Sequence, residues 1–147
     1  MKTSAQGRKL IEDAEDCKLQ AYLCPAGVPT IGIGHTKGVR LGMSCTREQA
    51  DQWLAEDLQS AESDIARLVK VPLTQGQFDA LASFIFNMGG DKFAHSTLLK
   101  MLNDGRVFAA ASQFKLWTHS NGVELPGLVK RRNAESELFL KDAKEPA

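Results

Sequence analysis

Leu19-Gln20-Ala21-Tyr22-Leu23-Cys24-Pro25-Ala26-Gly27-Val28-Pro29-Thr30-Ile31-Gly32-Ile33-Gly34-His35 is the stretch on which the fold turns. Before it, apolar residues recur at helical spacing. Within it they do not. Tyr22, the Pro25-Ala26-Gly27 turn and the run from Thr30 to His35 read as a short, glycine-rich antiparallel sheet reaching to about Val39. Gly38 and Gly42 add turns before the next element.

Upstream, Ser4 caps a first helix whose Leu10, Ile11 and Ala14 share a face. Downstream, Thr46 with Gln49 forms a capping box. It opens a long helix striped by Ala50, Trp53, Leu54, Leu58, Ala61, Ile65 and Leu68, which ends before Pro72. Thr74 with Gln77 caps another helix, carrying Phe78, Leu81, Ala82, Ile85 and Phe86, which Gly89-Gly90 stops. Ser96 opens a short helix that closes near Gly105. Another runs from about Val107 to Trp117, Gly122 and Pro126 bracket a loop, and a last helix spans about Leu128 to Leu140. One helix, a small sheet, then only helices is an α+β order. The chain divides into a β lobe at about 15–45, a connecting helix at about 46–70, and a helical lobe at about 71–143 that takes in the first helix. A cleft between lobes is a usual ligand site.

Composition sets bounds on function. The chain has 147 residues, 43% hydrophobic and 24% charged, with zero formal charge, which fits a single globular domain. A chain of this size buries about 68–70% of its unfolded surface and needs no disulfide or metal to fold. The basic residues form no sustained stripe with interleaved aromatics, so a nucleic-acid partner is not expected. Lys130-Arg131-Arg132 is a local cluster only. No apolar run approaches the ~18–20 residues that cross a bilayer, and Met1 to Lys9 lack the apolar centre of a secretory signal. Stable membrane insertion is therefore not expected either. Three cysteines, Cys17, Cys24 and Cys45, cannot all pair within a monomer. Neither they nor His35, His95 and His119 show zinc-ligand spacing, and no metal or cofactor is expected. Gly32-x-Gly34 with Gly38 fails the dinucleotide pattern, because its third glycine is misplaced and another turn follows it.

Glu15, then after eight residues Cys24, after five more Thr30, and then Gly32-Ile33-Gly34-His35 resembles the active-site signature of the phage lysozymes, glycoside hydrolase family 24. The second position of that signature is Asp or Cys. The resemblance continues in Asn87-Met88-Gly89 and in Leu125-Pro126-Gly127-Leu128 followed by Arg131-Arg132. It implies a lysozyme-like fold, with a small antiparallel β lobe joined by a long helix to a larger helical lobe. It also implies a monomer that cleaves the β-1,4 bond between N-acetylmuramic acid and N-acetylglucosamine in peptidoglycan glycan strands.

The resemblance makes Glu15, Cys24 and Thr30 catalytic. Glycosidic cleavage needs a carboxylic acid to protonate the leaving oxygen and a second group on the opposite face of the sugar. Glu15, at the end of the first helix, is the general acid, and burial must favour its protonated form near neutral pH. Thr30 positions water or substrate. Cys24 stands open as base, nucleophile or redox switch, and with it inversion or retention at the anomeric carbon. Without the motif, Glu15 reads as one more solvated carboxylate beside Glu12, Asp13 and Asp16. His35 is expected to tie the sheet to the long helix through Asp57 or Glu62, and Arg131 or Arg132 to sit near Glu15. Trp53 and Trp117 read as core.

Some relatives with cysteine at the catalytic position are exported on a signal-anchor and held inactive by a disulfide to that cysteine. Here oxidation of Cys24 by Cys17, or by Cys45, is the corresponding expectation. The expected route is accumulation in the host cytoplasm, then action on the periplasmic wall after a holin-type protein opens the membrane. Two other readings remain open: a lytic transglycosylase, which needs only the acid, and a non-catalytic wall-binding domain.

Overall fold

The computed structural model describes residues 1–143. Helix α1 spans Ala5–Glu15, and the Ser4 side chain accepts the Gly7 amide. Ser4 in turn gives its hydroxyl and amide protons to Asp79, so the cap also fixes where α1 sits. Ile11 is fully buried, whereas Ala14, expected on the same face, is exposed. The helix ends where Asp16 adopts φ 59, ψ 173, a region populated almost only by glycine. That turn redirects the chain into β1 (Lys18–Leu23), which pairs antiparallel with β2 (Pro29–Gly32). An isolated bridge from Gln20 to Ser44 adds a third segment beside β1.

Helix α2 covers Arg47–Leu68 and buries Ala50, Leu54, Leu58, Ala61 and Ile65, one face at three- and four-residue spacing. At ~1.5 Å per residue it is about 33 Å long. Its first turn lies against Gly32 through Ala50, and it also packs on α3 (Gln75–Met88) and α4 (Gly90–Ala94). Ten consecutive residues of α3, Gly76 to Ile85, are buried, as expected of a helix covered on all sides. It packs against α1, α2, α4 and α7 (Pro126–Leu140). At Gly76 an added Cβ would come 2.6 Å from the Leu138 carbonyl oxygen, so only glycine allows that approach of α7. Helices α5 (Thr97–Asn103) and α6 (Val107–Gln113) complete the cluster. Its buried aromatic centre joins Phe84, Phe93, Phe114 and Phe139. Each such side chain contributes roughly 1.5–3 kcal/mol by leaving water.

Several expectations need correction. Residues 119–124 form a second hairpin, β3 (His119–Ser120) with β4 (Val123–Glu124), where a loop was read. Asn121 and Gly122 both have positive φ, 52° and 79°, as an Asn-Gly hairpin turn requires. The sheet is therefore not followed only by helices. Gly89 stops α3 at φ 93° but α4 restarts at Gly90. The stretch from Val107 to Trp117 is α6 followed by a 3₁₀ turn at Phe114–Leu116. Helix α7 starts at Pro126, whose fixed φ suits the first helical turn. Thr74 and Gln77 form a complete capping box, while at Thr46 only the bond from the Gln49 amide is present. The order remains helical with a small antiparallel sheet.

Candidate active site

The β1–β2 hairpin sets the spacing of the expected catalytic residues. Tyr22 pairs directly with Thr30 and Leu23 with Pro29. Side chains alternate along a strand, so Tyr22 and Thr30 share one face, opposite to that of Leu23, and Cys24 follows directly where β1 enters the turn. The turn ties two of them together. The Val28 carbonyl accepts both the Cys24 amide (3.0 Å) and the Thr30 hydroxyl (2.9 Å). Thr30 is buried and Cys24 half-buried. With its proton committed to Val28, the Thr30 oxygen faces any further partner as an acceptor.

Glu15 approaches this hairpin from the end of α1, with its side chain 22% exposed. It is therefore not one more solvated carboxylate of the helix face. Its Oε1 accepts a hydrogen bond from Arg131 Nη1 at 2.9 Å. Its other end rests against the turn after β2: a Cβ added to Gly34 would lie 2.8 Å from Glu15 Cδ and closer still to Oε2. Phe86 of α3 presses on the same point. The carboxyl is thus held between a cation and a glycine backbone. Burial pushes the Tyr22 phenol above its ordinary value, and the negative charges of Glu15, Cys24 and Asp16 add to that rise. The Tyr22 ring therefore lies in the field of Glu15 and Cys24 together, a residue the motif did not single out.

The two arginines are not a basic surface. Lys130 is exposed, but Arg131 and Arg132 are buried at 4% and 0% exposure. Glu135, fully buried one turn on, lies between them. Its Oε1 accepts Arg132 Nη1, and its Oε2 accepts Ser83 Oγ at 2.5 Å, with Arg131 Nε at 3.4 Å. Arg132 also donates to the Trp117 carbonyl (2.8 Å) and to Asn87 Oδ1, and it lies 5.0 Å from the Phe84 ring centroid. Burial pulls the Arg132 guanidinium below its ordinary value and Glu135 opposes that fall. Arginine stays charged under such shifts. Sequence reading missed Glu135. Its spacing of four from Arg131 on a helix was the available signal.

His35 Nδ1 lies 2.7 Å from Asp57 Oδ2, joining the β2 turn to α2, and Trp53 stacks on the imidazole at 4.5 Å. Glu62, the other expected partner, accepts the Thr3 amide and hydroxyl instead. Trp117 packs edge-on against Phe84. A groove of about 180 Å³ opens beside Gly34, lined by Thr36, Lys37, Asp57, Asp64 and Phe86. A larger hollow of about 670 Å³ lies on the outer face of α7 between Glu124 and Glu137. Its lining includes none of Glu15, Cys24, Thr30 or Gly34, so it is not the place for this chemistry.

All three cysteines are free. Cys17 and Cys24 stand at opposite ends of β1, roughly 20 Å apart at ~3.3 Å per residue, against the ~7 Å Cα separation that a disulfide tolerates. Closing a Cys17–Cys24 bond therefore requires β1 to bend or open. Cys45, whose amide donates to the Leu19 carbonyl at 2.8 Å, is the thiol near Cys17. Burial pushes the Cys45 thiol up, and the charge on Cys17 adds to the rise.

The phage lysozyme family model matches residues 12–135. The endolysin of Acyrthosiphon pisum secondary endosymbiont phage 1 is 44% identical over 143 residues, covering 95% of this chain and 98% of its own. The endolysin of Salmonella phage P22 is 43% identical over 145 residues, covering 95% and 99%. The SAR-endolysin of Escherichia phage Mu is 38% identical over 133 residues, covering 90% and 77%. Among solved structures, the muramidase domain of SpmX from Asticaccaulis excentricus superposes with TM-score 0.86 at 43% identity, over 95% of this chain and 97% of its own. The active form of P1 phage endolysin Lyz gives 0.87 at 30% identity, over 100% and 89%. Its secreted inactive form gives 0.70 at 29% identity, over 99% and 100%.

Proposed function

The chain belongs to the phage lysozyme family and is a peptidoglycan-hydrolysing lysozyme of the kind that serves phage lysis; within that activity we propose that Glu15 is the general acid. The bond cut is the β-1,4 link between N-acetylmuramic acid and N-acetylglucosamine. The observation that carries the assignment is the two-sided hold on Glu15, by Arg131 at Oε1 and by Gly34 beside Oε2. A carboxyl whose Oε1 already accepts a cationic N–H carries its transferable proton on Oε2. That proton goes to the leaving glycosidic oxygen as the bond to the anomeric carbon breaks.

The hairpin face supplies the second half of the reaction. The Thr30 oxygen, its own proton given to Val28, accepts a hydrogen bond from water and leaves a water lone pair free for the anomeric carbon. Cys24, fixed through the same carbonyl, takes the proton that water releases when the sulfur is ionised. This water route inverts the anomeric carbon, whereas covalent attack by Cys24 followed by hydrolysis retains it. For delivery, the relatives at 43–44% identity are named endolysins and the phage Mu relative at 38% a SAR-endolysin. We propose for this chain cytoplasmic accumulation and release through a holin-type lesion, whereas the SAR-endolysin name points to export without a holin.

The test uses purified peptidoglycan. Glu15→Gln, shown folded by circular dichroism, loses at least about 10²–10⁴-fold in turnover, and the wild type yields reducing muramic ends. Near wild-type turnover by Glu15→Gln removes the assignment, and anhydro ends convert it to a lytic transglycosylase. The anomer, read by NMR at early times, separates the water route from covalent attack.

A further inference from the structure

Glu135 and Ser83 lie behind Arg131 as seen from Glu15 and share no hydrogen bond with Glu15 among the described residues. A buried Arg–Glu–Arg triad is weak evidence for stability, since apolar replacements of such triads are often neutral or stabilising. Its geometry suggests another role. The Arg131 guanidinium has five N–H donors in a planar fork. Nε faces Ser83 Oγ at 3.3 Å and Glu135 Oε2 at 3.4 Å, and Nη2 donates to the Ser83 carbonyl at 3.1 Å. Ser83 Oγ donates its own hydrogen bond to Glu135 Oε2. One edge of the fork is thereby occupied, and only Nη1 meets Glu15. Glu135 is itself fixed from behind by Arg132, which the Trp117 carbonyl and Asn87 hold in turn.

We propose that Glu135, with Ser83, is a positioning residue for hydrolysis: it clamps the back edge of Arg131 so that the arginine grips a single oxygen of Glu15 and leaves Oε2 free to the substrate. The alternative is the usual two-bond pairing of arginine with carboxylate, which occupies both oxygens and withholds the proton donor. Glu135 also cancels one of two buried positive charges behind Glu15. The inference rests on the reading of Glu15 as general acid.

The charged and titratable groups that act with Glu15 are Arg131 and, farther off, Arg132 from α7, and Tyr22 from β1, on which Cys24 and Asp16 also act. Glu135→Gln alters none of these side chains but leaves the arginines with one more uncompensated charge. Its kcat falls roughly 10- to 100-fold with KM within about threefold of wild type. The alkaline limb of its pH–kcat profile moves to lower pH, because the added positive charge favours the carboxylate form of the acid. Ser83→Ala removes the neutral half of the clamp, and its kcat falls several-fold with that limb in place. Wild-type kcat and pH profile in folded Glu135→Gln overturn the proposal, as does a loss confined to KM. Should Glu135→Gln fail to fold, Ser83→Ala decides: unchanged kcat overturns the clamp. Glu15→Gln measured alongside separates the two readings. If it stays active the acid assignment fails, whereas if it is inactive and the clamp variants match wild type, only this inference fails.

Discussion

Glu15 occupies the space that a side chain on Gly34 would fill. An ideal Cβ there falls 2.8 Å from Glu15 Cδ, and Gly34 also has φ 66°, a left-handed value. Gly34→Ala therefore strains the backbone, at about 1–2 kcal/mol, and displaces the carboxyl. Gly38 has a similar φ, 71°, with nothing within 4 Å of its Cβ position. Both alanine variants lower the melting temperature by a few degrees. Only Gly34→Ala loses activity, by roughly 100-fold for an ångström-scale misplacement. Equal activity in the two variants means the contact does not position the Glu15 carboxyl for the reaction.

His35 and Asp57 act as one unit in joining the hairpin to α2. His35 is 6% exposed, its Nδ1 is 2.7 Å from Asp57, and Trp53 covers the ring. Removing Asp57 leaves the buried His35 nitrogen unpaired, at about 1–3 kcal/mol, whereas Asp57, with its side chain 27% exposed, turns to water when His35 is removed. His35→Phe, Asp57→Asn and the double variant form a cycle read by urea unfolding. The double variant is expected to cost less than the sum of the singles by at least about 0.5 kcal/mol. Strict additivity excludes the coupling.

Intact β1 keeps Cys17 and Cys24 apart. Native protein exposed to diamide is expected to form no Cys17–Cys24 disulfide, while protein oxidised in urea forms it readily. Differential alkylation and peptide mass spectrometry distinguish the two. Cys45 behaves separately. Its thiol is raised by burial, so the neutral, unreactive form persists to higher pH in the folded chain. Alkylation of Cys45 at pH 8.5 is expected to be slower in the folded protein than in urea, because the thiolate is the reacting species. A Cys17–Cys24 crosslink in native protein shows that the strand opens readily.

Local signals carried much of the architecture. The caps at Ser4, Thr46, Thr74 and Ser96 each accept an amide of the following turn. They were legible because a cap acts within three residues. The second hairpin was equally local, written in Asn121-Gly122, but its two-residue strands are too short to show any alternation. Restart of a helix at Gly90 was not legible, since glycine is a poor helix former and packing holds that turn in place through Phe93.

What the sequence determined by itself was the first hairpin, the long helix and most of the helical order, and the spacing of Glu15, Cys24 and Thr30. Strand alternation and turn chemistry act over a few residues, so the hairpin face could be read directly. Only the tertiary structure decided that Arg131 and Arg132 are buried rather than solvated, that Glu135 joins them, and that Asp57 rather than Glu62 meets His35. Those outcomes depend on which distant segments share one low-dielectric interior. There an unpaired charge is too costly to persist, and it finds its partner through packing of the whole chain.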